Sequence, residues 1–390
     1  MKPKSGFPQT PFRESSKGRR YILFVVLQEK GDNNVQQPIP SRRRKLALFW
    51  ARLVCFALIL LAVLLYGAYV FAPKYAYGMC PMLNLYFQPR NTVDVLSLGT
   101  SLAYCGVNTN TLWQEYGIAA YNLCSAEQPF WVSYYALREA LKTQTPRVIL
   151  LDTRPAVYQQ EHSTWARTVL GTYGILGLEN RVGAMLACAE TPGDALRYII
   201  GMPQVHKYYP EITPDAFRFP PDNEGRGGNW KGHIEEDAVH QYARPSLVWS
   251  KEEEPLGAKQ ETYARKIFEL AKARGIPVLL VAFPNPDYKM DHAYCNRLFA
   301  IAAEYGFDGI NYNLPTLRFG LNFTKDFADW EHLNVRGSMN FSRKLGADLI
   351  AAFSLPDHRG DIAYASYDAA AADWYAKLPD FQSAPKEDSK

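Results

Sequence analysis

An uncharged run of 20 residues, Leu53 to Ala72 (LVCFALILLAVLLYGAYVFA), restricts what this chain can fold into more than any other feature. A helix of that length rises about 30 Å, the thickness of a bilayer's hydrocarbon core. Arg42-Arg43-Arg44-Lys45 stands just before the run, followed by Arg52. Positive charge is retained on the cytoplasmic side, so the N-terminus is expected inside and everything after Pro73 outside. Tyr66, Tyr69, Tyr75 and Tyr77 suit the far interface. A cleaved signal peptide is the competing reading. The long apolar run, the long polar arm ahead of it and the lack of a small-residue cleavage site favour an uncleaved anchor.

Charge divides along the same line. Residues 1–52 hold 12 of the 43 Lys/Arg and 3 of the 39 Asp/Glu, which leaves the remainder with 31 and 36, a net −5. The basic character belongs to the arm, and no nucleic-acid surface is implied for the rest. The apolar stretch Tyr21–Leu27 is too short to span, and residues 1–45 read as a disordered basic cytoplasmic arm. The expected layout is then an anchor at 46–72, a linker at 73–90, a main domain at 91–356 and a C-terminal docking helix with a polar tail at 357–390.

Within the outer part, short apolar runs alternate with amphipathic ones. Strands are predicted at 93–98, 118–123, 147–152, 277–283 and, more weakly, 308–312. Helices are predicted near 129–144, 257–274, 290–305 and 336–353. Near-continuous apolar strands separated by helices indicate an α/β fold, a parallel sheet covered on both faces. Such sheets carry their sites at the carboxyl ends of the strands.

Between the third and fourth strands lies an insertion, 155–256. It begins apolar and helix-like at 166–200, then becomes a Gly/Pro/Trp-rich loop through Gly225-Arg226-Gly227-Gly228-Asn229-Trp230. Loops of that length are usually functional or disordered. Trp230, Arg226, Tyr242 and Trp249 are candidates for a sugar-binding rim, because aromatic faces and fork-shaped donors suit carbohydrate; packing of the loop onto the domain is an equal alternative. After Leu355, Asp357 to Asp361 reads as a turn and Tyr367 to Ala376 as a docking helix. His358 is assigned a surface or capping role.

Six cysteines show no C-x-x-C spacing. Cys55 falls in the anchor, leaving five outside; a Cys105–Cys124 disulfide is left open, but no stapled framework is indicated. The seven histidines are scattered, with no H-E-x-x-H and no Cys/His cluster, so neither a metal nor another cofactor is expected.

Two short motifs carry chemistry. Gly99-Thr100-Ser101 follows the first strand, and Asp329-Trp330-Glu331-His332 lies near the C-terminus. A carboxylate three residues before a histidine can hold one ring nitrogen, leaving the other to take a proton from a serine hydroxyl. Ser101, His332 and Asp329 therefore read as a split triad. Counted from Gly99 the fifth residue is Ala103 rather than glycine, and the acid stands only three residues before the histidine, which argues against the G-x-S-x-G layout.

In these two blocks the chain resembles the SGNH (GDSL-like) hydrolase superfamily. The resemblance implies a flavodoxin-like three-layer sandwich and an acyl-ester enzyme with Ser101 as nucleophile. It also implies oxyanion donors from the Ser101 N–H and from the loop Asn122–Gln128. The pattern departs from the superfamily at two places: Cys124-Ser125-Ala126 stands where a glycine is usual, and Leu151-Asp152-Thr153-Arg154 replaces G-x-N-D. Asn122, Ser125, Thr153, Arg154 and Trp230 are the candidate oxyanion or substrate residues. With an N-terminal anchor, the chain looks more like the cell-surface branch, which includes the D-alanine transfer protein of teichoic acid synthesis and SGNH-like polysaccharide O-acetyltransferases. The partners this implies are a cell-envelope glycan or other acylated carbohydrate, the membrane through one helix, and a membrane protein donating acyl groups. The alternative is a non-catalytic envelope protein for polysaccharide binding or assembly.

Overall fold

The computed structural model describes residues 42–72, 74, 77–219, 230–243, 250–286, 292–314 and 319–377. Tyr75, Arg226 and Trp249 lie outside the described residues, as do most of the arm and the tail after Lys377. The chain divides into two compact units, residues 1–56 and 57–390. Helix α1 (Arg42–Phe71) is long and apolar enough to cross a membrane.

In chain order the rest comprises α2 (Met79–Leu85), β1 (Val95–Gly99), α3 (Ser101–Gly106), α4 (Thr109–Tyr116), β2 (Ala120–Cys124), α5 (Phe130–Ala140) and β3 (Val148–Asp152). A 3-10 turn at Arg154–Val157 leads to α6 (Trp165–Thr172), α7 (Leu178–Cys188), α8 (Pro192–Ile200) and α9 (Met202–Val205). Then come α10 (Ala258–Ala273), β4 (Val278–Ala282), α11 (His292–Ala303), β5 (Asp308–Asn311), α12 (Val335–Phe353) and α13 (Ala365–Lys377).

The five strands form one all-parallel sheet in the order β2-β1-β3-β4-β5. This is the doubly wound, flavodoxin-like order, which reverses direction between β1 and β3. Successive residues of each strand feed opposite layers, as the two-residue period of a pleat requires. Leu96, Leu98, Ile149, Leu151 and Leu280 pack with Leu137 of α5, Phe268 of α10 and Leu298 of α11. Val95, Val148, Leu150, Leu279 and Val281 pack with Leu112 of α4 and with Phe341 and Leu345 of α12. Burial of both faces explains why these strands read as unbroken apolar runs.

One expectation needs correction, two helices went unpredicted and one open question closes. The segment assigned as a linker, 73–90, contains α2, whose Met79, Cys80, Leu83 and Leu85 are buried. Two helices, α3 and α4, occupy 101–116; α4 starts with the Asn108 side chain accepting from the Thr111 N–H and ends on left-handed Gly117, a signature legible in the sequence. Cys105 and Cys124 are both buried and both free, so no disulfide joins them.

Candidate active site

At the carboxyl end of β1 the chain turns sharply into α3, and Ser101 is the first residue of that helix. Thr100 caps it: its hydroxyl oxygen accepts from the Leu102 N–H at 3.3 Å. The same hydroxyl donates to Asp152 Oδ2 at 2.6 Å, and the Thr100 N–H donates to that oxygen at 2.9 Å. The Arg154 N–H donates to Asp152 Oδ1 at 2.9 Å. Asp152 closes β3, so one buried carboxylate ties the turn after β1 to the turn after β3. Burial raises its pKa; the bonds from Thr100 and from the Arg154 backbone oppose that rise. The sheet's reversal point lies between these strands, the position where open α/β sheets bind ligands.

His332 arrives from a tight loop before α12. The Ala328 N–H donates to the His332 carbonyl at 2.8 Å, and Phe327 pairs with Leu333 across the loop. Asp329 organises its interior, because its Oδ1 accepts from the N–H groups of Glu331 and His332 at 2.8 and 2.7 Å. Asp329 Oδ2 lies 2.8 Å from His332 Nδ1. With a proton held there, Nε2 is left as acceptor for the Ser101 hydroxyl, 2.7 Å away. Burial pushes the Asp329 carboxyl up, but the bonds from His332 and the two backbone N–H groups outweigh it and hold the pKa below the ordinary value.

The structure thus brings Ser101, His332 and Asp329 into one hydrogen-bonded line, with donor–acceptor distances suited to proton transfer. The remaining sequence candidates separate. Asn122 is fully buried inside β2, where its Nδ2 donates to the Val107 carbonyl. The Ser125 N–H donates to the Gly99 carbonyl and its hydroxyl donates to Gln128. The Thr153 N–H donates to Val281 and the Arg154 N–H to Asp152. The Arg154 guanidinium pairs with Glu331, the residue before His332. Arg154 therefore stands at the site, but neither its N–H nor those of Ser125 and Thr153 are free for an oxyanion.

Trp230 lines no rim. It is buried against Val335, Met339 and Trp374, and its indole N–H donates to Asp373. Its position follows from the neighbouring chain: the Asn122 N–H donates to the Lys231 carbonyl, which holds the end of the loop against the edge strand. Tyr242 rests against Phe327, and its phenol is raised by burial and by the negative charge of Asp329. Phe327 lies two residues before Asp329, so Tyr242 packs on the loop that carries the acid.

The donors that remain are backbone groups. The Ser101 N–H, at the start of α3, has no acceptor among the described residues, and the same is true of Ala126 and Glu127 in the loop after β2. Sequence reasoning missed that Asp152 reaches back to Thr100, and it missed the Arg154–Glu331 pair. The available signal was an aspartate at the end of an otherwise apolar strand.

No family model matches this sequence, and no curated protein matches it. Six solved chains do match in structure. One is a candidate acylhydrolase from Bacteroides fragilis, with TM-score 0.36 and 12% identity, over 72% of this chain and the whole of that one. A likeness of that size carries no argument about activity, so the chemistry rests on the geometry of the site.

Proposed function

We propose that this chain is a membrane-anchored, extracytoplasmic, SGNH-like serine esterase or acyltransferase acting on acyl groups of cell-envelope polysaccharide. The observation that carries the proposal is the Ser101–His332–Asp329 line, with Nε2 2.7 Å from the serine oxygen and Nδ1 held by the carboxylate. In the mechanism, His332 takes the Ser101 proton as the oxygen attacks an acyl carbonyl. Asp329 keeps the imidazole in the required tautomer and stabilises the imidazolium. The N–H groups of Ser101 and Ala126 are the candidates to hold the developing oxyanion, commonly the largest single contribution to such catalysis. His332 then protonates the leaving alcohol, and water or a sugar hydroxyl resolves the acyl-enzyme.

The alternative, a non-catalytic glycan-binding protein on the same scaffold, is favoured by the engagement of the Ser125, Thr153 and Arg154 N–H groups within the protein. Treatment of the full-length protein with a serine-reactive fluorophosphonate separates the two. The enzyme reading expects stoichiometric labelling of Ser101 that is lost in Ser101→Ala and strongly slowed in His332→Ala. No labelling of folded protein would favour the binding module.

A further inference from the structure

The outer domain grips α1 inside its apolar stretch. A β-carbon on Gly201 would lie 3.1 Å from Ala68 Cβ, and one on Gly67 would lie 3.0 Å from Met202 Cε, so the corner between α8 and α9 sits directly on the helix. The Tyr69 hydroxyl donates to the Arg218 carbonyl. Ala68, Val70 and Ala72 are buried, and residues 57–390 form one compact unit. These contacts begin at Gly67, about 8 Å of helix before the apolar run ends at Ala72. Were all of them in water, Leu53–Tyr66 alone would have to cross the bilayer, about 20 Å against roughly 30 Å of hydrocarbon. Sliding the span back over Leu46–Trp50 would draw the Arg52 charge into the hydrocarbon, which is costly. If α1 spans, the parts of the domain that touch Gly67, Ala68 and Tyr69 lie at membrane depth.

The surface around that contact is apolar and uncovered. The Tyr69 ring lies 6.5 Å from Tyr66 and 5.8 Å from Phe219, and Phe219 lies 5.7 Å from Phe87, just past α2. Tyr66, Phe87 and Phe219 are each more than half exposed. Phe217, exposed to the same degree, precedes Phe219 across the extended Arg218. On the α8 flank Leu196 is exposed, within about 8 Å of Gly201 along the chain. The arginines beside these residues are paired, Arg197 with Asp194 at 3.3 Å and Arg218 with Asp215 at 3.2 Å. A connected row of large apolar side chains held out from a fold marks a surface that something covers. Aromatic rings at the end of a span are at home at the headgroup boundary, where one side is apolar and the other wet.

We infer that the outer domain has a second hold on the membrane. Tyr66, Phe87, Phe217 and Phe219, with Leu196 of α8, lie among phospholipid at the boundary of headgroups and acyl chains, about 5–10 Å deep. The inference rests on the reading of α1 as a membrane anchor. Continuity selects lipid as the occupant, because the row from Tyr66 through Tyr69 and Phe219 to Phe87 starts on a helix that lipid surrounds. This seat is fastened to the sheet: α2 follows α1 closely, and its Pro81 carbonyl accepts from the Tyr121 hydroxyl of β2 at 2.7 Å. Ser101 is then held at one height and tilt over the leaflet, where a domain on a flexible stalk would sweep.

The test is depth-dependent fluorescence quenching of full-length protein in phosphatidylcholine nanodiscs. Cys55 is the exposed cysteine and the other five are buried, so a Cys55→Ala background leaves one introduced thiol to label with an environment-sensitive dye. Leu196→Cys and Phe217→Cys probe the seat. Ile59→Cys probes the span, and Ile362→Cys, in the exposed turn before α13, reports water. Lipid carrying a nitroxide near the headgroup should extinguish the dye at 196 and 217 more than lipid carrying it near the chain end. The reverse order is expected at 59, and no quenching at 362. Introducing Phe219→Glu should lessen quenching at 217, with thermal unfolding in detergent as the check on folding; the labels in the parent chain carry the test if that variant is unstable. Quenching at 59 without quenching at 196 and 217 would overturn the inference and leave the anchor. Absence of quenching at 59 would remove the anchor reading on which it rests. Dyes at 196 and 217 that are shielded from water yet not quenched by lipid would show a protein partner on this face, and that too would overturn it.

Discussion

A β-carbon on Gly99 would lie 2.2 Å from the Cβ of Asp152 and 2.8 Å from its Oδ2. The last residue of β1 must therefore be glycine if Asp152 is to reach past it to the cap of α3. Gly99→Ala forces the two strand tips apart and moves Ser101 relative to His332. Overpacking of this kind costs roughly 1–3 kcal/mol. A displacement near 1 Å at the nucleophile lowers turnover by about a hundredfold. Hydrolysis of p-nitrophenyl acetate together with denaturant unfolding measures both. Wild-type turnover in a folded Gly99→Ala would show that the contact does not position Ser101.

The residues in that contact also show what the sequence could reveal. β1, β3 and β4 were legible because each is buried on both faces and so written in nearly unbroken apolar letters, from Val95-Leu96 to Val278-Leu279-Leu280-Val281-Ala282, whereas β5, exposed at Asp308 and Gly309, gave the weakest signal. The closeness of Asp329 to His332 was legible because both lie within one turn of chain. Asp152 was not, because its partner Thr100 is 52 residues away and no local pattern links them. Trp230 misled for a similar reason. Beside glycines it looks exposed, but its acceptor, Asp373, comes from the last helix, 143 residues later.

Asp329→Asn tests the role of the carboxylate. The amide oxygen can still accept from the Glu331 and His332 N–H groups, so the loop should hold. Its NH2 then faces Nδ1, which must become an acceptor, placing the imidazole proton on Nε2, where it cannot receive one from Ser101. Turnover should fall by about 10⁴-fold with little change in unfolding temperature. Because the wild-type carboxyl is held below its ordinary range, its contribution to stability is present above the unfolded value and lost only as pH falls through the lower folded one. A near-wild-type rate in Asp329→Asn would remove His332 from the base role.

Lys231 offers a prediction about stability and pH. It is buried, its ammonium donates to Gln88 Oε1 at 2.8 Å and Ser366 Oγ at 2.9 Å, and it lies 4.6 Å from the centre of the Tyr367 ring. None of those groups carries a compensating charge, and burial lowers its pKa to about 7 from 10.5. Between those values the unfolded chain holds a proton that the folded chain does not, so stability should rise with pH from about 7 to about 10. The rise should be on the order of a few kcal/mol. Guanidinium unfolding at pH 7 and pH 9.5 measures it, and Lys231→Met should flatten the slope. An equal slope in Lys231→Met would assign the effect to other groups.

The charges around α1 predict an orientation that can be measured. Arg42, Arg43, Arg44, Lys45 and Arg52 precede its apolar stretch, and basic residues stay on the cytoplasmic side. A periplasm-active alkaline phosphatase joined at the C-terminus should be active and a fluorescent protein that matures only in the cytoplasm should be dark, with residues 53–72 retained in the purified chain. The opposite pattern would invert the topology, and release of a chain lacking those residues would point to a signal peptide.

The last prediction concerns Ser101. A serine that attacks an ester becomes acylated, and the adduct accumulates when deacylation is slow. Brief incubation of the full-length protein with p-nitrophenyl acetate, quenched in acid, should add one acetyl mass to the peptide containing Gly99-Thr100-Ser101. Cys105 is on the same helix and could compete if it were a thiolate. Burial, with the charges of Glu236 and Asp329, pushes its thiol well above the ordinary range, so it stays protonated and unreactive. Cys105→Ser should therefore keep the adduct, and Ser101→Ala should lose it. His332→Ala should slow its formation by orders of magnitude, since the hydroxyl then lacks the acceptor 2.7 Å away. Turnover that persists in Ser101→Ala would defeat the mechanism, and an adduct that follows Cys105 instead would transfer the chemistry to the thiol.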